Sequence, residues 1–165
     1  MATTIRRSLG TRRARAEDDA GLDPELELFF QSINRLRLIT RDSLRDLSQD
    51  YSLSERGLHI LGLVYVGLDQ PGKLVKYLGV PPSSITFETD KLVAARLLIR
   101  LPNPTDRRGI RLSLTDQGRD VHRQAIKEVT DVLKPRFDAI PEGKREDFVR
   151  TLAKLAGRMP RTSSV

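Results

Sequence analysis

The sequence contains no cysteine, and that one absence removes disulfides, zinc fingers, thiol catalysis and thiol-based redox sensing together. Histidine is scarce as well, with His59 and His122 the two in the chain. There is no nucleophile elbow, no phosphate loop and no metal-spaced ligand set, so the ingredients of an enzyme or a cofactor site are poor. No apolar run approaches the roughly 20 residues that a bilayer span requires. The first 16 residues carry Arg6, Arg7, Arg12, Arg13 and Arg15 without an acid, yet lack the apolar stretch of an export signal. No repeat at solenoid spacing and no low-complexity linker interrupts the chain. These absences predict a cytoplasmic protein that is not an enzyme, holds no cofactor or metal and does not enter a membrane.

What is present is charge of one sign. Lys and Arg outnumber Asp and Glu by 29 to 22, a formal charge of +7, which favours a polyanionic partner such as nucleic acid or an anionic membrane. The 165 residues suit one compact domain, or a small reading head joined to a helical dimerisation part. The arginine tail is either a solvated arm or a phosphate-contacting one.

Along the chain, Asp23-Pro24-Glu25 combines a capping carboxylate, a proline suited to the first helical position and an acid near the positive helix end. Leu26, Phe30, Ile33, Leu36, Leu44 and Leu47 then recur mostly at helical spacing, which predicts one long amphipathic helix to about residue 47. Its length suggests that part of it packs on a second subunit. Ser52 with Glu55, or Ser54 alone, can cap a second helix bearing Leu58, Leu61 and Tyr65. Gly57 and Gly62 within it permit close approach of a neighbour. Gln70-Pro71-Gly72 opens a short helix closed by Gly79, and Pro81-Pro82-Ser83-Ser84 starts another at once, over about residues 82–97. Two short helices around a tight glycine turn are the sequence form of a helix-turn-helix.

Residues 97–101 and 109–114 flank a polar loop and fit a β-hairpin. Thr115 caps a further helix that Pro135 is expected to limit. A last helix after Pro141 carries Phe148, Leu152, Leu155 and Met159 as its stripe.

A helix braced by a preceding short one can enter the major groove and present its first turns to base edges. Here those turns offer Ser83, Ser84, Thr86 and Phe87: hydroxyls for phosphates or bases, and a ring for a thymine methyl. Equally, the two serines could cap the helix and Phe87 could pack in the core. The hairpin shifts that balance, because its loop concentrates Arg107 and Arg108, with Arg100 and Arg111 on the flanking strands, and a narrow minor groove attracts inserted arginine. Asp106 can hold an arginine fork in one orientation. An ordinary exposed polar turn is the plainer alternative.

The string LLIRLPNPTDRRGIRLSLTDQG, residues 97–118, resembles the wing and following helix start of MarR-type transcriptional regulators. It joins an Asp-x-Arg element at Asp106 and Arg108 to a Leu-Thr-x-x-Gly element at Leu114, Thr115 and Gly118. The stretch LVKYLGVPPSSIT, residues 74–86, is similar to the reading head of that family, and the order of elements matches over residues 23–159. The resemblance implies a mainly α winged helix-turn-helix protein with a two-stranded wing, a homodimer joined through its first and last helices, and binding of a palindromic double-stranded operator. It further implies a minor-groove role for Arg108, base or phosphate contacts for Ser83, Ser84 and Thr86, a phosphate contact for Lys91, and an orienting role for Asp106. Phe87 stands where a basic residue often sits, Glu88 where an apolar one is usual, Pro81 where an acidic cap is frequent, and Arg96 where glycine commonly ends the helix. Phe87 could indicate apolar readout and Arg96 a backbone contact.

The resemblance also implies a repressor released by a small aromatic or phenolic effector, with Arg37 and His59 as candidate polar anchors. For His59 a satisfied, partly buried side chain is the alternative, and for Arg37 a solvated helix face. The expected organisation is a basic, disordered tail (1–22), an N-terminal dimerisation helix (23–51), the DNA-binding domain (52–114), C-terminal dimerisation helices (115–160) and a short tail (161–165). Two competing functions remain: a winged-helix module that mediates protein contacts without reading DNA, and a small enzyme acting on aromatic acids. Arg107 and Arg108 speak against the first, since such a module has no evident need of a cationic hairpin tip.

Overall fold

The computed structural model describes residues 23–104 and 106–157, and at 106–108 the backbone alone. The arginine tail expected over 1–22, Met159 and the tail 161–165 lie outside the described residues. The chain divides into two compact units, Met1–Leu38 and Ile39–Val165.

Helix α1, Pro24–Ser43, starts as its sequence predicts. The Glu25 amide donates to Asp23 Oδ1 at 2.9 Å, and Glu25 and Glu27 stand at the positive helix end. The single helix expected to residue 47 is instead two. The chain turns at Leu44 and resumes as α2, Arg45–Asp50. The Ser43 hydroxyl donates to the Thr40 carbonyl at 2.8 Å, and the Leu44 amide reaches only to Arg41 O at 3.2 Å, so a side chain competes with the backbone ladder and tightens the turn. In the first unit Leu26, Phe30, Ile33 and Leu36 are exposed.

The second unit holds α2, helices α3 (Glu55–Tyr65), α4 (Pro71–Leu78) and α5 (Pro82–Ala94), strands β1 (Leu98–Asn103) and β2 (Asp106–Leu114), and helices α6 (Asp116–Asp138) and α7 (Glu142–Ala156). Helix α3 lies at its centre, touching α5, α6 and β2. Its Ile60 and Leu61 join Leu47, Leu74, Ile85 and Leu92 in a continuous buried core. Ser54 alone caps α3, accepting the Gly57 amide at 2.9 Å. The close approach expected at its glycines is present at Gly57, where a Cβ would meet Glu88 Oε2 at 3.3 Å, whereas at Gly62 a Cβ would make only an ordinary contact with the His122 ring at 3.5 Å. Gly79 closes α4 in the left-handed region, φ 63°, where a Cβ is disfavoured.

Helix α5 ends at Ala94, three residues short of the expected 97, because Arg96 turns the chain out with φ +57°. Strands β1 and β2 pair antiparallel, from Leu98 opposite Leu114 to Asn103 opposite Asp106, with a shift of register between Pro102 and Asn103. Asp106, Arg107 and Arg108 therefore lie within β2 and not in the loop, since the Asn103–Asp106 pairing closes the hairpin earlier than its polar composition suggests.

The base of the hairpin is sewn to α6. Thr115 accepts the Gly118 amide at 2.9 Å as N-cap, and its hydroxyl donates to Arg96 O at 2.7 Å. A Cβ at Gly118 would stand 2.0 Å from Leu97 O. The Leu-Thr-x-x-Gly element is thus a joint between wing and helix. Helix α6 also runs through Pro135 to Asp138 rather than stopping there. The proline removes one amide near the helix end, while the Arg136 guanidinium donates to Val132 O and the Ala139 amide to Pro135 O, so neighbouring bonds carry the last turn. No helix among the described residues is long and apolar enough to cross a membrane.

Candidate nucleic-acid interface

Helix α5 has two faces. Ile85, Glu88, Thr89 and Leu92 are buried, while Ser83, Thr86, Phe87, Asp90 and Lys91 are exposed and Ser84 is half-buried. The exposed set follows helical spacing and forms one stripe. Neither serine caps the helix: Pro81 is the N-cap residue and no side chain bonds there, Pro82 has no amide hydrogen, and the Ser84 amide donates to the Pro81 carbonyl at 3.0 Å. Thr86 spends its hydroxyl proton on Pro82 O at 3.1 Å and keeps lone pairs outward. Phe87 is 58% exposed, so it is no core residue. Lys91 Nζ lies 4.6 Å from the centre of its ring, a cation–π contact that holds a flexible ammonium over an apolar plate.

The wing is tied to this helix and to the loop before α4. Arg100 of β1 bonds Asp90 Oδ1 and, at 3.3 Å, Thr89 Oγ1, both on α5. Arg111 of β2 bonds Asp69 through Nη2 and through Nε at 2.6 Å, and the Leu112 amide donates to the Asp69 carbonyl at 2.7 Å. The Asp69 side chain is 11% exposed, which makes this pair less screened than a surface bridge. Arg100 and Arg111, on the flanking strands as expected, are therefore each paired with a carboxylate. The other two wing arginines are Arg107 and Arg108, whose side chains, like that of Asp106, lie outside the described residues. Sequence reasoning missed Asp69 because a lone acid in a short loop carries no motif. Its 42-residue separation from Arg111 is bridged only by the fold.

Arg96, at the end of α5, is exposed. His59 lies on the exposed side of α3 and lines a cavity of about 800 Å³ in the second unit, between Leu58, Leu78, Val80 and Ile126. His122 lines it too. Its ring packs against Tyr65, centroids 4.3 Å apart, and burial pushes its pKa below the ordinary value. Arg37 belongs to the first unit, on an exposed part of α1, so the structure does not bring the two proposed anchors into one described site. Among the described residues no group of acids and histidines could hold a metal ion.

No protein-family model matches the chain. The HTH-type transcriptional regulator PecS of Dickeya dadantii is 30% identical over 124 residues, which cover 69% of this chain and 74% of PecS. TcaR of Staphylococcus aureus, also an HTH-type transcriptional regulator, is 25% identical over 114 residues, 67% of this chain and 75% of TcaR. Among solved structures, RV1404 of Mycobacterium tuberculosis superposes with a TM-score of 0.62 at 27% identity, covering 79% of this chain and 91% of that one. A mutant of MarR from E. coli reaches 0.66 at 22% identity over 82% and 98% of the two chains, a likeness of fold. With the helix-turn-helix, the wing and the Thr115–Gly118 joint in place, these similarities make the chain a member of the MarR family of winged helix-turn-helix transcriptional regulators.

Proposed function

We propose that the chain is a homodimeric DNA-binding repressor that holds a palindromic operator and releases it when a small aromatic effector binds. The observation that carries this reading is the exposed stripe of α5, with Ser83, Thr86, Phe87 and Lys91 outward. That stripe suits the major groove, with Ser84 at its edge for a phosphate, and the wing arginines suit the flanking minor groove. In this reading Arg108 enters that groove, Asp106 orients it, Arg107 adds a phosphate contact, and Arg96 meets the backbone beyond the end of α5. Residues 52–114 form the reading head. Residues 23–51 and 115–160 join two copies, as supported by apolar side chains left exposed on α1 and, on α7, at Phe148, Val149, Leu152 and Leu155.

The effector acts by preferring a dimer whose reading heads are wrongly spaced for half-sites about 34 Å apart. The cavity beside α5 supports such a site, with His59 as a polar partner in its wall. Arg37 of α1 is the other residue we propose for the effector.

Selection of bound DNA from a random pool tests this reading. It is expected to return a palindrome, whose affinity falls steeply with added salt through counterion release. Arg108→Ala is expected to weaken that affinity and to lower the salt slope by about 1. Recovery of no preferred sequence, or binding indifferent to salt, would overturn the reading.

A further inference from the structure

Glu88 follows Phe87 on α5 yet faces the interior, 6% exposed. Among the described residues its Oε2 is the buried side-chain polar atom without a hydrogen-bond partner. Gly57 of α3 makes room for it, since a Cβ there would stand 3.3 Å from that oxygen. A carboxylate taken out of water costs several kcal/mol unless a cation or donors complete it. A position one step around the helix from the DNA-facing stripe thus holds an acceptor that no group among the described residues satisfies.

Glu88 also lines the cavity of about 800 Å³, a size suited to small organic ligands. Leu58, Leu78, Val80 and Ile126 supply flat apolar wall, and Glu55 and Arg56, both exposed, bring opposite charges that cancel formally. His122 is held toward its neutral form by burial. Glu88 is therefore the acid of the wall without a basic counterpart among these residues, and His59 is another polar side chain a ligand meets there.

We infer that this cavity takes a small aromatic amine, its ammonium donating to the Glu88 carboxylate and its ring lying against Leu58, Leu78, Val80 and Ile126. This rests on the regulator reading above and names the effector's charge, which is opposite to that of the phenolic acids the family resemblance implies. Because Glu88 belongs to the reading helix itself, a cation bound there acts on the element that carries Phe87 and Lys91. Amine and operator are expected to weaken each other's binding by the same factor.

The chain has no tryptophan, so indole fluorescence reports a bound indole probe directly. Tryptamine and indolepropionate share ring and linker and differ in the sign of the terminal charge. Titrated into the full chain, tryptamine is expected to bind about tenfold or more tightly than indolepropionate, the worth of one charge-assisted hydrogen bond. Glu88→Gln, which keeps the shape, is expected to erase that preference. Equal or tighter binding of indolepropionate, no binding of either probe, or a preference that survives Glu88→Gln would each overturn the inference. The comparison of the two probes on the unaltered chain needs no variant to fold. Gel-shift binding to the selected operator on the same preparation separates the two claims: retained DNA binding with failed amine binding sinks the inference alone, and lost DNA binding sinks the regulator reading.

Discussion

Gly118 shows how a single missing Cβ can decide a joint. On propensity alone alanine would favour α6 by about 1 kcal/mol, but the added carbon would stand 2.0 Å from the Leu97 carbonyl oxygen, a backbone atom. Gly118→Ala is expected to cost about 3 kcal/mol, read as a lower urea midpoint; an unchanged midpoint would remove the joint from the account. Arg96 presents the opposite case, an arginine in a left-handed turn at φ +57°, where a Cβ costs about 1 kcal/mol. Arg96→Gly should therefore raise the melting temperature while weakening operator binding, and a variant that gains in both would show that the side chain does not touch DNA. His122 carries a pH signature. Burial lowers its folded pKa below the 6.5 of the free side chain, so the unfolded chain takes up its proton first and stability declines as pH drops below about 6.5. Melting curves between about pH 7 and pH 5 should be flatter for His122→Gln than for the unaltered chain.

At the scale of elements, the reading helix and the wing are positioned together by ion pairs. Asp69 and Arg111 hold β2 against the loop before α4, and Asp90 and Arg100 hold β1 against α5. The Asp69 carboxylate is nearly enclosed whereas Arg111 is 44% exposed, so solvent screening limits the pair to about 1–2 kcal/mol. Asp69→Asn is expected to lower stability by about that amount and to reduce operator affinity without touching a DNA-facing residue. A double-mutant cycle with Arg111→Met checks the coupling, and additive losses would show that the strut carries no energy. Helix existence followed from periodicity and caps, and Ser54, Thr115 and Gly79 stand where their chemistry demands. The boundaries that shifted, at Leu44, Ala94 and Pro135, did so through side-chain back-bonding, a strained arginine and the tolerance of a helix end for proline.

At the scale of the whole molecule, Leu152 and Leu155 of α7 are 46% and 61% exposed, and the proposed dimer would cover them. A double substitution to Asp at these positions is expected to shift the sedimenting species from dimer to monomer and to weaken operator binding, since two half-sites no longer act together. An unaltered chain that sediments as a monomer would count against dimerisation through this helix. Much of this protein was determined by its sequence alone, because the signals are local: helical periods, the glycine turn before α5, the hairpin and the Thr115–Gly118 element all depend on residues a few positions apart. What only the tertiary structure decided is where charge ends up. Asp69 pairs with Arg111, Asp90 pairs with Arg100, and a buried oxygen of Glu88 on the inner face of α5 is left without a hydrogen-bond partner among the described residues, because each of these fates depends on side chains that the fold, and not the order of residues, brings into or keeps out of hydrogen-bonding reach.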